Sequence, residues 1–166
     1  MLITSYRTIV QAQTQTVWDL LLDRIENPRR FQPIIDQSKV LERFPLGVIR
    51  EMTVDDTVIR ERITIELGDY AINSELLEHP LYTGTTFTRI VPTSVQNPMA
   101  PVHLEIGLRL ELKEKHREGL VEPEEDMEMA IKQELQAIKQ QAEELESRET
   151  EPVGSEKRFR SPLGGG

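Results

Sequence analysis

The chain has 166 residues, no cysteine, 37% hydrophobic residues and a net charge of −9, which allows one domain with its own core and excludes disulfides, thiolate metal sites and a cysteine nucleophile. Between Glu124 and Glu151 ten acidic side chains stand against three basic ones, a net of −7; this argues against a nucleic-acid partner, whose phosphates need Lys and Arg, and the short cluster Lys157-Arg158-Phe159-Arg160 does not reverse it. No stretch approaches the ~20 apolar residues of a membrane span, and the N-terminus lacks a signal-like apolar run, so a soluble cytoplasmic protein is expected.

Residues 2 to 10 mix β-branched and apolar side chains as a strand does. Thr14 can then cap a helix whose apolar positions Val17, Trp18, Leu21, Leu22 and Ile25 recur at helical spacing. That helix should end near Asn27-Pro28, with Pro28 opening a second short helix that presents Phe31, Ile34 and Ile35. From Lys39 to Leu112 short alternating runs broken at Gly47, Asp55-Asp56, Gly68-Asp69 and His79-Pro80 predict a meander of six strands, with a longer loop from Pro92 to Pro101. The last strand places Leu104, Ile106, Leu108, Leu110 and Leu112 on one face. Pro123 and the acids that follow it suit a helix start, and Met127, Ile131, Leu135, Ile138, Ala142 and Leu145 form one narrow apolar stripe. The expected organisation is one domain over 1–148 and a disordered tail over 149–166, rich in Glu, Gly, Ser and Pro.

One register can be computed. If Asp55-Asp56 is a two-residue hairpin turn, opposed residues have numbers adding to 111. Leu46 then faces Ile65, Val48 faces Ile63, Arg50 faces Glu61 and Met52 faces Ile59, all on one side. A turn at Gly68-Asp69 gives a sum of 137 and aligns Ile65 with Ile72, Ile63 with Ser74 and Glu61 with Leu76. Both hairpins send the same residues inward, and a slip by one position would bring Arg60 and Arg62 inside instead. The consequence is an Arg50–Glu61 ion pair on an otherwise apolar face. Two readings stand: Arg50 offers a donor fork to a ligand while Glu61 holds it, or the pair satisfies itself and fixes the sheet.

Val17-Trp18-Asp19-Leu20-Leu21-Leu22, Glu26-Asn27-Pro28-Arg29-Arg30-Phe31, Val40-Leu41-Glu42-Arg43, Ile49-Arg50-Glu51 and Val58-Ile59-Arg60-Glu61-Arg62 together resemble the AtaL-like family of the START-like SRPBCC superfamily, over roughly residues 2 to 146. The resemblance implies an α+β helix-grip fold: a seven-stranded curved antiparallel sheet around a long C-terminal helix, with two short helices after the first strand. It carries over no catalytic residue, and the superfamily includes carriers, polyketide cyclases and chaperone-binding modules. The very polar final helix departs from the family's pattern.

The ligand-binding candidates are therefore Arg50 and Glu61, with Trp18, Phe31, Met52, Ile59, Ile63, Tyr70 and Phe87 as pocket wall or plain core. His79, His103 and His116 are too scattered for metal-ligand spacing and are read as surface histidines, and Asp55-Asp56 lacks the further oxygens of a calcium loop, so no metal and no cofactor are expected. The partner expected is a small hydrophobic molecule with one polar group. Three functions remain in play: a binding protein, a cyclase-type enzyme with Glu61 as base and Arg50 polarising a carbonyl, and an interaction module using the acidic helix. No feature fixes an oligomeric state.

Overall fold

The computed structural model describes residues 1–93, 101–113 and 123–150. The middle of the expected Pro92–Pro101 loop, His116 and the tail beyond Thr150 lie outside the described residues. The chain runs through β1 (Leu2–Val10), α1 (Thr14–Glu26), a 3-10 turn (Pro28–Arg30), β2 (Gln37–Phe44), β3 (Gly47–Val54), β4 (Thr57–Glu66), β5 (Ala71–Glu78), β6 (Tyr82–Pro92), β7 (Val102–Leu112) and α2 (Pro123–Thr150). All seven strands join one antiparallel curved sheet in the order β1-β7-β6-β5-β4-β3-β2, so the meander closes by bringing β7 back beside β1. This is the helix-grip architecture that the family resemblance implied and with which the element order agrees.

The computed register holds. Val48 pairs with Ile63, Arg50 with Glu61, Met52 with Ile59 and Val54 with Thr57; Asp55 and Asp56 take φ of 49° and 62°, the left-handed pair that a two-residue hairpin needs and that aspartate tolerates. The second register also holds, with Ile65 against Ile72, Ile63 against Ser74 and Glu61 against Leu76. It is reached through a 3-10 turn, Leu67–Asp69, with Tyr70 left-handed at φ 49°. A bulge between Arg60 and Glu61 then moves Arg60 opposite Glu78. Leu46 departs from the first register: it lies in the turn before β3, outside the ladder and 49% exposed rather than inward, although its carbonyl accepts from Ile65 N–H at 2.8 Å.

Two local expectations change. Thr14 is the first helical residue and Gln13 the cap, with no side-chain capping bond; Gln13 accepts from Val17 N–H through its carbonyl. The second short helix is a single 3-10 turn. The chain leaves it too early for helical phasing, so Phe31 and Ile35 are buried while Ile34 is 62% exposed.

The core lies between the inner sheet face, α1 and α2. From α2 it takes Ile131, Leu135, Ile138 and Ala142, flanked by the partly buried Met127 and Leu145, the stripe the spacing predicts. At ~1.5 Å per residue the 28 residues of α2 span roughly 42 Å and close the concave side. Its acids are engaged with the domain: Glu128 accepts from Tyr6, Glu134 from Arg24, Glu143 from Gln11 N–H and Lys139, and Glu146 from Thr16. The helix is a wall of the fold, with Glu128, Glu134, Glu143 and Glu146 tied to neighbouring elements. Among the described residues, no helix is long and apolar enough to cross a membrane.

Candidate functional site

Under the first half of α2 the sheet does not close completely. A cavity of about 200 Å³ remains, walled by Ile25 of α1, by Met52, Ile59, Ile63, Ile72 and Leu76 of β3 to β5, by Ile106, Leu108 and Leu110 of β7, and by Met127, Ala130 and Ile131 of α2. That is more than ten times the ~10–15 Å³ a single water requires. A second depression of about 540 Å³ lies outside, between the end of α1 and β2–β3; Pro28 is the single apolar residue among those lining it, so it is a polar surface hollow rather than a binding pocket.

Two ion pairs stand in the cavity wall. The first is the expected one. Arg50 Nη2 donates to Glu61 Oε2 at 2.7 Å, with both side chains about nine-tenths buried. Ser74 Oγ donates to the other Glu61 oxygen at 2.9 Å. Arg50 Nη1 donates to the carbonyls of Arg24 and Ile25 at 3.2 and 3.1 Å. Those carbonyls belong to the last turn of α1, where intrahelical donors run out and the macrodipole favours a cation. Arg50 therefore ties the end of α1 to β3 and β4. Nη1 is spent there, Nε is buried without an acceptor, and no bidentate fork is left to offer. The geometry serves the self-satisfying reading of the pair more than the ligand-clamp reading.

The second pair has no trace in the register argument. Arg24 Nη1 donates to Glu134 Oε2 at 3.1 Å, and its Nη2 donates to Thr88 Oγ1 at 2.9 Å; Gln32 reaches the other Glu134 oxygen at 3.4 Å. One arginine thus links α1, α2 and β6. Both arginines have a carboxylate partner, so the wall carries four formal charges that cancel.

Of the residues proposed from sequence, Arg50, Met52, Ile59, Glu61 and Ile63 come together at the cavity. Trp18, Phe31 and Tyr70 do not. Trp18 is buried in the core with its ring edge-on to Tyr70 at 5.6 Å, and Phe31, 2% exposed, plugs the core after the 3-10 turn. Phe87 lies on the opposite face of β6, because its neighbours Thr86 and Thr88 point into the cavity and strand side chains alternate. Its ring instead covers Gly107, its cross-strand partner, beneath the Arg89 guanidinium.

Sequence reasoning missed Arg24, Gln32, Thr88 and Glu134, and it misplaced His79. This imidazole lines the cavity and is not a surface group. Burial, then Lys113, hold its pKa below the usual imidazole range against the opposing pull of Glu61. The His79-Pro80 turn between two strands was the available signal, since a turn at the end of an inward-facing strand borders the concave side. Among the described residues no group of three His, Cys, Asp or Glu could hold a metal ion.

The sequence over residues 8–147 matches the family described as AtaL, acetylaranotin biosynthesis cluster protein L. No curated protein matches it. Solved structures share the fold. The Zhui aromatase/cyclase from Streptomyces sp. R1128 superposes with a TM-score of 0.71 at 18% identity, covering 86% of this chain and 93% of that one. The di-domain ARO/CYC StfQ from the steffimycin biosynthetic pathway superposes with a TM-score of 0.73 at 18% identity, over 87% of this chain and 52% of that one, so this chain spans about half its length. A family match across most of the chain, on a helix-grip fold with an interior cavity, means that the protein belongs to the AtaL family.

Proposed function

We propose that this protein binds a small, mostly apolar, neutral molecule with oxygen functions in the cavity beneath α2. The observation that carries this reading is the cavity wall itself, aliphatic over most of its area and charge-balanced where it is polar. Burying about 200 Å² of apolar ligand surface at ~25 cal/mol/Å² would contribute on the order of 5 kcal/mol, enough to drive occupancy before any polar contact is counted. A formal charge on the ligand would have no uncompensated partner in the wall and would lose its hydration. Native mass spectrometry against neutral bicyclic ketones and the matching carboxylates tests this. One-to-one adducts with the ketones, weak or absent for the carboxylates, are expected; no adduct with any of them would refute the reading.

A second reading, a cyclase-type enzyme, is supported by the fold shared with aromatase/cyclases. Glu61 is a poor base for it, since both oxygens already accept hydrogen bonds. Glu134 also accepts at both oxygens, but at longer range, 3.1 Å from Arg24 and 3.4 Å from Gln32 against 2.7 and 2.9 Å at Glu61, and is the better candidate. Cyclised product formed from a short linear polyketone by the wild type but not by Glu134→Gln would support the enzyme; unaltered chain recovered from both would oppose it.

A further inference from the structure

The segment between β5 and β6 reads Glu78-His79-Pro80-Leu81-Tyr82. Proline has no N–H and a fixed φ, so the donors that this turn must satisfy are those of the two residues after it. His79 satisfies both: its Nδ1 accepts from Leu81 N–H and from Tyr82 N–H, each at 3.1 Å. A ring nitrogen that accepts hydrogen bonds carries no proton, so in the neutral ring the proton sits on Nε2. Charging the ring would set an Nδ1–H against two backbone N–H dipoles. Burial and Lys113 disfavour that charge as well, with Glu61 pulling the other way. The backbone therefore selects a single tautomer.

His79 also lines the cavity. Its Nδ1 is taken up by the β5–β6 connection, so Nε2 is the ring nitrogen still available to a ligand. Among the described residues Nε2 has no hydrogen-bond partner. The arginines differ here: Arg24 donates to Glu134 and Thr88, and Arg50 to Glu61 and the end of α1. We infer that His79 is a specificity residue of the cavity, presenting a fixed neutral Nε2–H donor that selects ligands with an acceptor oxygen, such as a ketone carbonyl, at this end of the site. The inference rests on the ligand-binding reading proposed for the same cavity and names the chemistry of one end of its ligand.

The test pairs two ligands with one variant. Methyl naphthyl ketone and its isopropenyl counterpart have nearly the same shape, with CH2 in place of the carbonyl oxygen. In His79→Asn the side-chain oxygen can take over the Nδ1 position, since Asn before Pro favours the same turn, but no donor remains at Nε2. Fluorescence titration gives the affinity ratio of ketone to hydrocarbon for each protein, and comparing ratios cancels differences in hydrophobicity. The ratio should fall about three- to tenfold from wild type to His79→Asn, the worth of one hydrogen bond. An unchanged ratio overturns the inference. If neither compound binds the wild type, the cavity reading fails and the inference fails with it; if both bind with a ratio indifferent to residue 79, only the inference fails. Heteronuclear NMR of the imidazole nitrogens supplies a readout independent of ligand and variant. The wild type should show protonated Nε2 and bare Nδ1 at neutral pH, and the reverse tautomer or an imidazolium would overturn the proposal.

Discussion

Replacing Arg50 by methionine removes the guanidinium that neutralises Glu61 and caps the last turn of α1, while leaving the carboxylate in place. Glu61 is 9% exposed and would keep only the Ser74 hydroxyl at 2.9 Å. Breaking a buried pair from one side costs about 3–5 kcal/mol, because the remaining charge has lost its partner without regaining water. At roughly 2–4 °C per kcal/mol for a domain of this size, that is a fall in Tm of about 10 °C. The double variant Arg50→Met, Glu61→Leu removes both charges. Its remaining cost is the α1 carbonyls of Arg24 and Ile25 left without a donor and the Ser74 hydroxyl left without its acceptor, about 1–2 kcal/mol in all. The double variant should therefore be more stable than Arg50→Met alone, by about 2–3 kcal/mol in urea unfolding. Additive effects, or a loss under ~1 kcal/mol for Arg50→Met, would refute the view that this pair is buried and joins α1 to the sheet.

Arg24→Met should cost about 1–3 kcal/mol, since it strips Glu134 and Thr88 of their shared donor, and hydrogen exchange should quicken at Ile131 and Leu135 on the facing turns of α2. Gly84 has φ 129°, and a Cβ there would come within 2.1 Å of the Arg109 carbonyl oxygen. Gly84→Ala is expected to cost about 2–4 kcal/mol, while Gly68→Ala, where a Cβ meets nothing within 4 Å, should leave Tm nearly unchanged. The pKa of His79 is lowered in the folded state by burial and Lys113 against Glu61, so the unfolded chain takes up its proton first as pH falls. Stability should then decline as pH drops below the unfolded value of ~6.5, and His79→Asn should flatten that part of the profile. At lower pH the sign follows the carboxylates. Hydrogen bonds from Arg43 and Arg60 hold Glu26 and Glu51 below the usual range, so their contribution, present above ~4.3, is lost as they protonate.

How much could be read in advance depended on whether the signal was local. The β3–β4–β5 register followed from two turns and an alternation of isoleucines, and it located Arg50 opposite Glu61 because strand pairing leaves no freedom once the turn is set. The stripe of α2 followed from helical spacing alone. The pair of Arg24 with Glu134 joins residues 110 positions apart on two helices, and neither residue breaks its own helix's pattern, so nothing in the sequence marks it. Phe87 misled for a physical reason: Thr86 and Thr88 on either side of it face the cavity, and Phe87 faces outward, where it shields Gly107. The apolar residue there does not mark the buried face. The second short helix is present but stops after one 3-10 turn, because Pro28 can open a helix but cannot sustain one, and Pro33 removes a donor one turn later.

The hollow under α2 is the proposed binding site. Ala130 lines it from α2 and belongs to neither ion pair, so Ala130→Phe should fill the space. Calorimetric titration of methyl naphthyl ketone should give one site per wild-type molecule with a negative heat-capacity change and no binding to a folded Ala130→Phe variant of similar Tm. Equal binding to both proteins would place the ligand elsewhere and contradict the claim.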